Sequence, residues 1–253
     1  MTTRRALLTA ASLALLTGCG RNTVLEPLGE PDGRAAPTCR TPGDLVAFDA
    51  VATGTLLYDE TGAPTTMQSD PAFLARLEAW AADWAELSGL GAIRTVTSFG
   101  AYVDKCGSYH QVGRAFDISA IAHDRGEVSL RFDRWGPGSS TQLRDYWRLA
   151  ASLHLHFSYT LAYPYDAAHH NHIHVDNAVS GDGLSTFNRR SGTQVQLVQY
   201  ACRHVFGHDV EPTGDYDDQT RDAVRRVQSM ADLTSPLATP EGWRGFLRAV
   251  ARG

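Results

Sequence analysis

The sequence runs to 253 residues, 43% of them apolar and 20% charged, with a formal net charge of -5. That length and composition support one full hydrophobic core plus a small appendage. The acidic balance excludes the basic footprint that nucleic-acid binding requires, and nothing in the composition speaks to oligomeric state.

Arg4 and Arg5 precede an apolar run over residues 6–16. The run is far shorter than the roughly 20 residues that span a bilayer and reads as a secretory signal. The residues that follow, Leu16-Thr17-Gly18-Cys19, resemble the lipobox of bacterial lipoproteins, in which the cysteine receives lipid and becomes the new N-terminus. An ordinary cleavable signal is the other reading, and "TRRALL" also resembles a twin-arginine signal. The expectation is a lipoprotein signal over residues 1–18, lipidation at Cys19, and a tether over residues 19–38, which are rich in Gly, Pro and charge. No second apolar segment of membrane length follows, so membrane contact is expected through the N-terminal lipid only. Export leaves Cys39, Cys106 and Cys202 in an oxidising compartment, where one bridge and one free thiol is the simplest outcome. Cys39 with Cys106 is favoured because both flank the main domain in sequence; the other two pairings stay open.

The first strong element signal is Ser69-Asp70-Pro71, where Asp can cap a helix and Pro can occupy its first position. Leu74, Leu77, Trp80, Ala81, Trp84 and Leu87 then recur at helical spacing, and Gly89 stops the run. The tryptophans are read as core, not as ligand-stacking residues. Residues 92–98 and 115–121 read as strands, residues 141–153 as a helix, and residues 157–163 and 171–175 as two further strands. Helices and strands mix without regular βαβ alternation. The expected class is therefore α+β, a small and mainly antiparallel sheet flanked by helices.

Two stretches concentrate chemistry. "SYHQVGRAFDIS", residues 108–119, has the form Ser-x-His-x-x-Gly-x-Ala-x-Asp through Ser108, His110, Gly113, Ala115 and Asp117. Gly113 lets the backbone turn, and Ala115 keeps the approach uncrowded. One imidazole and one carboxylate are two of the three protein ligands that a catalytic zinc site usually takes. "AAHHNHIHVD", residues 167–176, holds four of the chain's ten histidines. On a strand, His172 and His174 share a face about 6.6 Å apart, so one can bind metal while the other reaches over the open coordination position. Asp176 shares their parity and either orients a ligand histidine or is a solvated strand end. His170 is read as a surface residue. A metal-scavenging tract is a further reading of the histidines.

Together these stretches resemble the M15 metallopeptidases and the related extensin-like C-terminal domain, in the wider group of lysostaphin-like and D-Ala-D-Ala-cleaving enzymes. The resemblance covers roughly residues 40–185. It implies zinc held by His110, Asp117 and His174, and hydrolysis of peptide bonds in bacterial cell-wall peptidoglycan. It further implies that His172 stabilises the oxyanion or shuttles the proton with His169 in support, and that Ser108 bonds the substrate or orients its loop. Carboxypeptidase and dipeptidase-like members carry a glutamate three residues before the last ligand, where this chain has Asn171. They also tend to carry an arginine in the segment equivalent to "VTSFGAY", which has none; Arg114 or Lys105 could grip a substrate carboxylate instead. Endopeptidase and carboxypeptidase action both stay open. The rival reading is a catalytically silent, zinc-containing cell-wall-binding lipoprotein.

Residues 193–228 read as helix, Gly-containing loop, helix, with Val195, Val198, Ala201, Cys202 and Val205 on one apolar stripe and Ala223, Val224 and Val227 on another. They resemble the small peptidoglycan-binding helical domain, with Thr213-Gly214-Asp215-Tyr216 in place of its usual turn. A helical pair capping the catalytic domain is the alternative, and residues 241–251 add a third helix. The expected division is a peptidase domain over residues 39–187 and a helical domain over residues 188–253, in a protein anchored by lipid at the membrane and facing the wall.

Overall fold

In a computed structural model, the described residues are 37, 39 and 41–253 apart from 137, 138, 158, 179, 180 and 182. The expected signal, Cys19 and nearly all of the tether lie outside them. No helix among the described residues is long and apolar enough to cross a membrane.

Four short strands come first. β1 (Val46–Phe48) pairs antiparallel with β4 (Met67–Ser69), while β2 (Ala50–Val51) and β3 (Gly54–Tyr58) form a hairpin between them. α1 (Pro71–Ser88) then starts where the sequence signals it. The Asp70 carboxylate accepts from Phe73 N–H at 3.0 Å, and Gly89 ends the helix at φ 69°. Its Phe73, Leu77, Trp80 and Trp84 are wholly buried, each ring or branch stabilising the fold by roughly 1.5–3 kcal/mol. The indole N–H groups of Trp80 and Trp84 donate to Ser152 Oγ and His123 Nε2, both at 3.0 Å, so both rings belong to the core.

The main sheet continues with β5 (Ile93–Gly100), β6 (Ala115–His123) and β7 (Gly126–Ser129). A short α2 (Phe132–Trp135) and a long α3 (Ser140–His156) follow, then β8 (Tyr159–Leu161) and β9 (Ile173–Asp176). The seven-stranded order is β2-β3-β5-β6-β9-β8, with β7 also on β6; only β3 and β5 run parallel. This is the α+β architecture expected, with a sheet that is mainly antiparallel. β6 sits at its centre and serves two surfaces. Phe116 and Ile118 point into the core, and the register shift between Ile118 and Ala120 then flips the alternation so that Ile121 and His123 do so as well. Asp117 faces the other way.

Three helices complete the chain: α4 (Gly192–His204), α5 (Asp218–Met230) and α6 (Pro240–Arg252). Their apolar stripes join the same buried cluster as α1, α3 and the sheet. Trp147 of α3 stacks on Tyr200 of α4 with centroids 4.5 Å apart. Arg148 of α3 donates to the carbonyls of Ser88, Ala251 and Arg252, capping the C-terminal ends of α1 and α6 at once. Two glutamines pin the loops between these helices. Gln199 donates to Thr213 Oγ1, Thr220 Oγ1 and the Asp215 carbonyl and accepts from Gly214 N–H, while Gln228 donates to the Ser235 carbonyl.

Candidate metal centre

β6 and β9 pair so that Asp117 stands directly opposite His174, with Ala115 opposite Asp176. Both pairs lie on the sheet face turned away from Phe116 and Val175, because alternate residues of a strand point to opposite faces. His110 arrives from outside the sheet, on loop 101–114 between β5 and β6. The loop is closed by bonds from Gly113 N–H to His110 O and from Arg114 N–H to Tyr109 O. Gly113 is required twice over. Its φ is 68°, and a Cβ there would stand 2.7 Å from the backbone nitrogen of Asp70. Its carbonyl in turn accepts from Asp70 N–H and Ser69 Oγ, tying the loop to the start of α1. The bridge between Cys39 and Cys106 staples the same loop to the N-terminal segment, leaving Cys202 free and buried.

His110, Asp117 and His174 each offer one ligand atom, and these atoms all lie within 4.8 Å of one another. His110 Nε2 is 3.2 Å from Asp117 Oδ2 and 3.2 Å from His174 Nδ1, and His174 Nδ1 is 2.8 Å from Asp117 Oδ1. A tetrahedral ion with bonds of about 2.0–2.2 Å spreads its ligands to roughly 3.3–3.6 Å, so the group needs only a small expansion to hold one. The outer nitrogens settle the tautomers. His110 Nδ1–H donates to the Ala101 carbonyl at 2.5 Å, and His174 Nε2–H donates to Asp176 Oδ2 at 3.1 Å. Each donation leaves the inner nitrogen with a lone pair aimed at the Asp117 carboxylate. Three acceptors converging without a cation repel one another. Burial alone would lower His174, but Asp117 and Asp176 outweigh it and push its pKa up to about 9. Burial alone would raise Asp117, yet whenever a proton joins the His110 and His174 rings, their hydrogen bonding and charge hold it well below the ordinary carboxylate range. The site is built to take positive charge, as a proton or as a metal ion.

The remaining histidines surround this group. His172 sits one residue before β9 and turns Nε2 to 3.5 Å from Asp117 Oδ1, while its Nδ1–H donates to Asn171 Oδ1 at 2.6 Å. Burial pushes His172 down to about 4 against the pull of Asp117. His169 lies in a single turn of 3₁₀ helix (Ala167–His170), where its Nδ1–H donates to Asp166 Oδ1 at 2.6 Å and its ring packs 5.2 Å from that of His172. Burial lowers its pKa as well, opposed by Asp166. His170 points elsewhere, edge-on to Phe132 at 5.5 Å.

A cleft of about 860 Å³ opens over the group, lined by His110, Asp117, His169, His172 and His174 and further by Lys105, Ser108, Tyr159, Tyr165 and Asp166. That size suits a short peptide. Ser108 accepts the His110 backbone N–H at 3.2 Å, so it orients the loop. Arg114 is not among the lining residues, whereas Lys105 is. The Ala101 carbonyl is a backbone group with no side-chain signature in the sequence. Asp166 does leave a signal, since Asp three residues before His169 is a cap spacing, and its carboxylate accepts His169 N–H.

The fold and these residues define a sheet-borne His-Asp-His centre that could hold a metal ion. Residues 91–189, which contain every member of it, match the family model for the extensin-like protein C-terminus. No curated protein and no solved structure matches the chain.

Proposed function

We propose that the chain is an exported, lipid-anchored zinc peptidase that hydrolyses peptide bonds of bacterial peptidoglycan, akin to the M15 metallopeptidases. One observation carries the reading: two imidazole lone pairs and a carboxylate converge at the floor of a peptide-sized cleft, each histidine fixed from behind by an acceptor. The donor set fits zinc, with His110 Nε2, Asp117 and His174 Nδ1 as ligands and room for a non-protein group. When bound, zinc polarises the scissile carbonyl and lowers the pKa of water.

The chain's own residues supply the rest. Asn171 Oδ1 can only accept, so it keeps the proton of His172 on Nδ1 and leaves Nε2 free beside the ligands. His172 Nε2 takes the proton of the attacking water and returns it to the leaving amine. His169, held by Asp166, packs against His172 and fixes its ring plane. In this way His172 fills the general-base role that Asn171 cannot. The α4–α6 helices seat the enzyme on the wall.

The rival is a silent wall-binding protein with a structural metal, favoured by the 3.5 Å approach of His172 Nε2 to Asp117, which could close the site with a fourth ligand. A digest of purified muropeptides separates the two. The peptidase reading expects cleavage that is lost in His110→Ala and falls about 10²–10⁴-fold in His172→Ala with metal retained. No cleavage by the unaltered chain, with metal lost in His172→Ala, supports the rival.

A further inference from the structure

A second groove, of about 570 Å³, is lined by residues of β3, β4, the end of β5 and the start of loop 101–114. It meets the metal cleft at Val103, which lines both and is 46% exposed. Two of its lining residues also touch the metal centre. The Phe99 ring packs 5.8 Å from that of His172, and the Ala101 carbonyl is the acceptor that fixes His110. A molecule lying across Val103 therefore fills both hollows and rests on residues that aim two of the site's histidines.

None of the residues lining the groove is charged, in a chain where 20% of residues are. Tyr58, Phe99 and Tyr102 offer rings, while Thr65, Thr66 and Gln68 offer hydroxyl and amide groups. The Tyr102 hydroxyl lies 3.3 Å from Thr41 Oγ1, which holds its ring in position. An ionic ligand finds no counter-charge here; a neutral molecule with apolar faces and many polar groups finds partners for both. The backbone beside the groove is already engaged. Thr65 N–H donates to the Leu56 carbonyl, Tyr102 N–H to that of Gln68, Val103 N–H to that of His110 and Lys105 N–H to that of Val103. A peptide added as a further strand would need such groups free. Recognition is left to side chains, which favours a sugar over an extended peptide.

We infer that this groove is a carbohydrate subsite, and that its ligand is an uncharged N-acetylated sugar of the wall glycan whose attached peptide lies in the metal cleft. The inference rests on the peptidase reading and deepens it. The substrate class becomes peptide still joined to glycan, not peptide already released from it.

The test uses the full chain with three synthetic substrates: a wall stem peptide alone, the same peptide on a disaccharide of N-acetylated sugars, and a cross-linked peptide without sugar. KM for the glycosylated peptide is expected to lie about tenfold below that of the bare one. Gln68→Ala should remove most of this advantage and leave the bare peptide unchanged. Tyr102→Ala should do the same, with Tyr102→Phe keeping most of the advantage because the ring remains. Equal KM for glycosylated and bare peptide, or an equal change for both in Gln68→Ala, overturns the inference. A Gln68-dependent KM for the cross-linked peptide also overturns it, by giving the groove to a second peptide. Calorimetry with the peptide-free disaccharide reads the groove without turnover: the unaltered chain and His110→Ala should both bind it, and Gln68→Ala should not. Binding that persists in Gln68→Ala would assign the sugar to another surface and overturn the inference. Absence of cleavage together with Gln68-dependent sugar binding would overturn the peptidase reading and keep the subsite.

Discussion

Asn171 shows how one residue can redirect a site. This side chain accepts from His172 Nδ1–H and so presents the other ring nitrogen to the cleft. Asp176 acts in the same manner on His174, a candidate metal ligand. It is wholly buried, and the small Ala115 opposite it on β6 leaves it space. Sequence parity allowed either an orienting carboxylate or a solvated strand end; the bond to His174 Nε2 selects the first. Asp176→Ala leaves a buried N–H without its acceptor and frees the ring to turn. We predict a 10–100-fold loss of zinc affinity in a competition titration with a chromogenic chelator, with the fold intact by circular dichroism. Unchanged affinity would mean that the strand alone aims His174.

At the scale of elements, the site joins two central strands to one long loop. Loop 101–114 has no helix or strand of its own and is held by few side chains, so its anchors matter: Gly113 on α1, Ala101 on His110, and the disulfide. Closing a loop with a sequence separation of 67 stabilises the fold by roughly 4 kcal/mol in the chain-entropy view. What was legible in the sequence follows the length of the periodic signal. The caps of α1, the stripes of α3 to α6 and the alternation of β5, β6 and β9 are written over many residues or in special residue types. β1 to β4, β7 and α2 are short segments, too brief for a period to emerge. His110, Asp117 and His174 were legible because their spacing is chemical. Their convergence required the β6–β9 register, which pairs residues 57 apart in sequence. The cleft walls at Tyr159 and Tyr165 are set by packing and left no local trace.

Across the whole molecule, buried histidines on β6, α3 and α4 carry the cost of acid. His154 is fully buried, and burial pushes its pKa down to about 3; His123, His156 and His204 are lowered for the same reason. An unfolded histidine titrates near 6.5. Between about pH 6.5 and 3 the unfolded chain therefore binds protons that the folded chain refuses, so stability is full above this window and falls as pH drops through it. His154 alone accounts for about 2 kcal/mol at pH 5. Thermal melts should show Tm falling from pH 7 to pH 5, with a shallower slope in His154→Gln. An identical slope in the variant would place the acid sensitivity elsewhere.

The most direct measurement is the metal content of the full chain purified without chelator, beside Asp117→Ala prepared in the same way. The account predicts one zinc per chain, lost in Asp117→Ala. Metal-free protein, or several ions per chain that persist in Asp117→Ala, would contradict it.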